Sequence, residues 1–305
     1  MNQAVNIPTP RANKPRVQPA RVINRDLSQA NHLMAEFRKE VLQPGFKPAF
    51  QIKGSNNGFN IVSDIEIRIR KPWLISQSGA SLCGPAAFMY CLAKDAPALY
   101  VQYVRDLFVT GKAKINDLEV EPSTACKNGQ LVSGNGDNER RIEAVDWIAL
   151  ASLRDSENRI FRHGSVANDA SGITLPGRLT SWFKAAGYSQ VQEKARVLSS
   201  HEPEHLLAAA QDYQHNKNVC LFIAAKVVTG PFTLKAIPNH WVVLSEVQPM
   251  SIPHHPDPAQ MQKSLEEQVP SLKAYSWGKE KEDINASMLS LADFSKYYFG
   301  YVVAG

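Results

Sequence analysis

The sequence has no long apolar run. Its longest, Val219-Cys220-Leu221-Phe222-Ile223-Ala224-Ala225, falls far below the roughly 18 residues that cross a bilayer, so no membrane span is expected. The N-terminus lacks the apolar centre of a secretory signal, and no cleaved leader is expected either. Cysteine is scarce: Cys83, Cys91, Cys126 and Cys220 are all that 305 residues contain. None of them forms a CxxC pair and no zinc-like spacing occurs, so neither a metal nor a cofactor is expected. Four cysteines without a dense framework point to reduced thiols and a reducing site of action rather than to disulfides. Internal repeats are also absent.

Acid is missing from the first 25 residues. They carry Arg11, Lys14, Arg16, Arg21 and Arg25, which account for the whole formal charge of +5 and leave 29 basic against 29 acidic residues beyond them. Phosphate neutralisation needs a basic surplus on the folded body, so nucleic acid is not an expected partner. Pro8, Pro10, Pro15 and Pro19 and the shortage of large apolar residues make residues 1 to about 25 a disordered tail. It is either a plain terminus or a delivery signal. We divide the chain into residues 1–45, tail and lead-in helix, and residues 46–305, the body.

The patterning of the body is helical first and stranded later. Asp26 caps a helix over residues 26–40 with a stripe of Leu27, Leu33, Met34 and Phe37. Residues 64–70 alternate with period 2, which predicts a strand. A helix starts near Cys83, with Pro85 suited to its first turn. Another follows Pro97 and stops at Gly111. Residues 116–137 read as loop, and Asp137 caps a helix carrying Ile142, Val145, Ile148, Ala149 and Leu153. Thr174 precedes a helix that ends at Gly187, and residues 200–213 form one more. The periodicity of residues 146–155 predicts core packing. Strands are expected at 219–228, 240–247, 272–277 and 300–304, with a short helix near 291–298. This order predicts an α+β fold.

The chemistry-bearing segment is Gln77-Ser78-Gly79-Ala80-Ser81-Leu82-Cys83-Gly84-Pro85-Ala86. A nucleophilic cysteine acts as its thiolate, and a helix N-terminus favours that form. Cys83 sits at such a start, followed by small residues that leave room for substrate. Gln77 offers an amide N–H to a developing oxyanion, beside the backbone N–H of Cys83. A thiolate also needs an imidazole. Of the eight histidines, His240 alone opens an apolar strand, Asn239-His240-Trp241-Val242-Val243-Leu244. The pair His254-His255, beside prolines, reads as a solvated loop rather than a metal site.

Gln, five residues, Cys at a helix start, and much later His opening a strand resembles the papain-like cysteine peptidases. Gln77…Cys83-Gly84-Pro85-Ala86 looks closest to the bacterial branch that includes double-glycine leader peptidases. Tyr275-Ser276-Trp277-Gly278 is similar to the Asn-Ser-Trp-Gly segment of papain. The resemblance covers roughly residues 60–305 and rests on these three short segments. It implies a helical half, whose central helix bears the cysteine, packed on a mostly antiparallel β-sheet half. It also implies Cys83 as nucleophile, His240 as general base and acid, and Gln77 as oxyanion donor. The family orients its histidine with Asn or Asp, and here that slot holds Tyr275. Strand alternation sets Ala274 and Ser276 on one face and Tyr275 and Trp277 on the other, so Ser276 is expected to hold His240, with Asp257 the rival. Trp277 is either core or a shield over the histidine, and Cys91, Cys126 and Cys220 are packing residues.

The expected function is a cysteine protease acting on a protein substrate. The chain would then be a bacterial effector or toxin, delivered by a non-classical secretion route into a recipient cytoplasm and matched by an immunity or inhibitor protein. Deamidase, transglutaminase or acyltransferase chemistry on the same fold is one alternative. A non-catalytic binding module is the other.

Overall fold

The computed structural model describes residues 24–52, 58–129, 142–161, 173–200, 202–229, 236–248 and 257–305. The architecture is α+β. The first helix, α1 (Leu27–Val41), begins where the sequence indicates, with the Asp26 carboxylate accepting from the Ser28 N–H. Its buried residues Ala30, Met34 and Phe37 join the single main core, and Phe37 meets Phe108 at 6.0 Å. The folded body therefore reaches back to this helix.

Residues 64–70 are not a strand. They close the helix α2 (Gly58–Arg70). Ile61, Val62, Ile65, Arg68 and Ile69 are buried, whereas Ile67 is 42% exposed. That is helical spacing; the local alternation of Ile with charge is a coincidence that Ile61 and Val62, upstream of it, break.

Helix α3 (Cys83–Asp95) is buried along nearly its whole length. It is apolar on every side, as a central helix must be. It packs on α2, on α4 (Pro97–Thr110) and on the sheet strands described below. Gly111, at φ 77°, ends α4 in the left-handed conformation that favours glycine. The span expected to be loop, 116–137, contains the strand β2 (Leu118–Val120), which pairs with β1 (Ala113–Ile115) just before it, and the helix α5 (Thr124–Lys127). Asp137 and His254-His255 lie outside the described residues. The next helix is α6 (Ala144–Asp146), which runs through a π-helical stretch, Trp147–Ala151, into α7 (Ser152–Phe161). Residues 145–155 are buried as expected, but they include the charged Asp146, Arg154 and Asp155.

Helix α8 (Pro176–Ala185) starts later than Thr174 suggests. Leu175 takes the cap position, and the Thr174 hydroxyl caps nothing. Strand β3 (Val191–Ala195) and helix α9 (Pro203–Gln214) follow. Then come β4 (Asn218–Ile223), the short helix α10 (Lys226–Thr229), β5 (His240–Val247), α11 (Pro258–Glu267), β6 (Leu272–Ser276), β7 (Lys279–Asp283), α12 (Leu291–Ser295) and β8 (Tyr298–Ala304). The fourth strand thus stops at Ile223 and the chain turns helical.

The main sheet has the order β3-β8-β4-β5-β6-β7, with every neighbouring pair antiparallel. Every residue of β4 and β8 is buried, so both faces of the sheet centre are covered. The edge strands β3 and β7 are polar and bury no residue fully, and for that reason they leave no apolar alternation to read. Among the described residues no helix is long and apolar enough to cross a membrane.

Candidate active site

Cys83 is the first residue of α3, and its side chain is 6% exposed. Its sulfur lies 3.9 Å from the carbonyl oxygen of Asn239, and the backbone N–H of Trp241 acts on it electrostatically. These peptide groups flank His240, so the thiol sits against the opening of β5. Burial pushes the Cys83 thiol pKa up. The backbone N–H groups of Trp241, Gly84 and Cys83 and the charge of Arg154 oppose that rise.

His240 is the first residue of β5, paired with Ile223 of β4, and is 4% exposed. Its Nε2 stands 2.9 Å from the Ser276 hydroxyl at the end of β6. Its other face stacks on Trp277, with ring centres 4.1 Å apart and planes 10° from parallel. Ser276 pairs with Lys279 across the turn, and Trp277 and Gly278 both have positive φ, 46° and 78°. Two such residues make the tight hairpin whose twist suits its strands. A tryptophan in that conformation costs about 1–2 kcal/mol. Strand alternation has ended at this point, so Trp277 does not face away from Ser276 as expected but covers the same imidazole. Burial alone pulls the His240 pKa down to about 3. Asp257 is exposed and its carboxylate caps α11 by accepting from the Ala259 N–H at 2.9 Å.

Tyr275 turns the other way. Its hydroxyl donates to the Ile75 carbonyl at 2.6 Å and its ring stacks on Tyr90 of α3 at 4.1 Å. It thereby ties β6 to the loop that carries Gln77. The same loop is held by Asp146, whose carboxylate accepts from the Ser76 N–H at 3.1 Å and from Arg68 at 3.0 Å. Burial raises the Asp146 carboxyl to about 6 in spite of Arg68, which leaves the pair charged at neutral pH. Breaking one member of such a buried pair costs about 3–5 kcal/mol.

Gln77 is buried, and its Oε1 accepts from the Leu82 N–H at 3.0 Å. A backbone N–H can only donate, so this contact fixes which end of the amide is oxygen. Its nitrogen is then the end left to donate, as an oxyanion donor must be.

No family model, no curated protein and no solved structure matches this chain. The reading of the site therefore rests on its own geometry.

Two features of that geometry escape sequence reasoning. Gly84 does not leave room for substrate. A Cβ there would lie 2.2 Å from Thr174 Oγ1 and 2.3 Å from Thr174 Cβ, so the missing side chain makes room for Thr174, and the expectation is corrected. The Thr174 carbonyl in turn accepts from the indole N–H of Trp241 at 2.8 Å. The second feature is Arg154, a buried cation whose charge is felt at Cys83. Its place at the charged end of an apolar helical run, beside Asp155, gave no sign in the sequence that it is buried. The four cysteines are free and buried. Burial pushes the Cys91 thiol pKa well up. Among the described residues no cluster of three His, Cys, Asp or Glu side chains could hold a metal.

Proposed function

We propose that this chain is a papain-like cysteine hydrolase that cleaves peptide bonds in a protein substrate. The carrying observation is that Nε2 of His240 is engaged by Ser276 while the Cys83 sulfur lies against the peptide groups on either side of His240. Engagement of Nε2 leaves Nδ1 as the nitrogen for the thiol proton. Cys83 then attacks a carbonyl carbon, forming the C–S bond, and the proton passes to Nδ1. The Gln77 amide and the Cys83 N–H hold the oxyanion. His240 returns the proton to the leaving amine, and water hydrolyses the thioester. A helical half with a buried cysteine-bearing α3 against an antiparallel sheet is the arrangement this family uses, and it supports the fold assignment.

A second reading has its own support. His240 and Cys83 are almost fully covered, and burial disfavours the charged form of each, which suits a binding module. Incubation of a bacterial lysate with wild type and Cys83→Ala, read by mass spectrometry, tests both. Chain breaks made by wild type alone support the protease. A one-dalton gain without a break points to deamidation, and no change in either sample favours the binding module. The basic, proline-rich residues 1–25 support delivery into a recipient cell. Toxicity of wild type but not Cys83→Ala on expression inside a bacterium is the expected result.

A further inference from the structure

Arg154, on α7, is 8% exposed. Among the described residues it makes no hydrogen bond or ion pair, and its Nε is buried without a partner. An unpaired guanidinium in a core is costly, and burial lowers its pKa accordingly. The charged or ionisable groups that act on it are Cys83, Glu157 and Arg178. Glu157 is already engaged, by Arg178 at 2.7 Å and by the indole N–H of Trp182 at 3.2 Å. The Arg178–Glu157 pair joins α7 to the first turn of α8, and Thr174, just before α8, lies against Gly84; this end of α7 therefore stands by the start of α3, where Cys83 is the remaining group that can take up negative charge. His240 lacks a carboxylate to hold it as imidazolium, because the Ser276 hydroxyl stands where a charged group would serve.

We propose that Arg154 is a positioning residue of this site, a fixed buried cation that stabilises the Cys83 thiolate as its proton leaves. This rests on the reading of Cys83 as the nucleophile. The S–H bond breaks, the proton goes to His240, and the electron pair left on sulfur is stabilised by the guanidinium. Glu157 tempers that charge and Arg178 tempers Glu157, so substitutions at 154 and 157 have opposite effects.

The test is the pH dependence of Cys83 alkylation by iodoacetamide, in which the sulfur–carbon bond forms and iodide leaves, with each cysteine quantified by peptide mass spectrometry. In Arg154→Met the midpoint rises by about one pH unit or more, which makes alkylation roughly tenfold slower below it. Arg154→Lys recovers most of the shift, and Glu157→Gln lowers the midpoint below that of wild type. A loosened fold cannot produce that downward shift together with the lysine rescue. An unmoved midpoint in folded Arg154→Met overturns the proposal. Where Arg154→Met fails to fold, Glu157→Gln decides: a lowered midpoint supports the proposal and an unchanged one overturns it. If wild-type Cys83 reacts no faster than Cys91 and Cys220, the nucleophile reading fails and Arg154 fails with it. A reactive Cys83 that is indifferent to residue 154 sinks Arg154 alone.

Discussion

Ser276 holds Nε2 of His240 at 2.9 Å through a hydroxyl, so the imidazole is oriented without a carboxylate. A neutral hydrogen bond contributes about 0.5–1.5 kcal/mol net, and its loss is felt modestly. Ser276→Ala is expected to lower kcat/KM by roughly 3- to 10-fold. Ser276→Asp would place a negative charge beside the ring and raise the His240 pKa above its present value of about 3, visible in an NMR titration of the imidazole. A loss beyond about 100-fold in Ser276→Ala would exceed what one neutral hydrogen bond supplies.

Gln77 has two separable duties. Its oxygen accepts from the Leu82 N–H, and its nitrogen is free to meet an oxyanion. Gln77→Glu keeps the acceptor and removes the donor. We expect kcat to fall by about 10²–10³ with the melting temperature close to wild type. Wild-type turnover in Gln77→Glu would remove the amide from the mechanism.

The backbone at Gly84 and the side chain of Thr174 occupy adjoining space, so Gly84→Ala overpacks the start of α3. A cost of about 1–3 kcal/mol is expected in urea melts. Thr174→Ala does not relieve it, because the new Cβ would lie 2.3 Å from the Cβ of residue 174 itself. The double variant Gly84→Ala, Thr174→Gly does. If the double variant is no more stable than Gly84→Ala, the contact is not the cause.

Acid stability should carry the mark of His240. Its pKa is depressed to about 3 in the folded protein, so an unfolded chain takes up a proton at this residue from about pH 6.5 downward while the native protein does not. Stability therefore falls with pH across that window, by on the order of 3 kcal/mol at pH 4. Asp146 acts in the opposite sense. Raised to about 6, it takes a proton in the native state first, and acidification from about 6 to its ordinary range offsets part of the loss. Asp212, lowered to about 2 beside Lys194 and Lys217, adds a further loss only below pH 4. In denaturant melts His240→Gln should lose less stability than wild type between pH 6.5 and 4. Parallel curves would mean that His240 is not held neutral.

Much of the helical half was legible because its signals are local. Asp26 caps α1, Pro97 and Gly111 bound α4, and Cys83 opens α3. Strand β5 begins at His240 and ends at Val247, as its apolar run indicates. Local signals also misled. Three isoleucines alternating with charge in residues 64–70 imitate a strand only while Ile61 and Val62 are left out of the count, and the polar strands β3 and β7 carry no pattern at all.

The sequence by itself determined which residue types stand at α3, at β5 and at the end of β6, and alternation along β6 was enough to favour Ser276 over Tyr275. Only the tertiary structure decided what those residues meet. His240 and Ser276 are 36 positions apart, Arg68 and Asp146 are 78 apart, and Cys83 and Asn239 are 156 apart. Caps and periodicities are properties of a few neighbouring residues. The neutral hydroxyl on the imidazole, the Trp277 shield, the Thr174 contact and the burial of Arg154 arise from packing between distant segments, which no local pattern encodes.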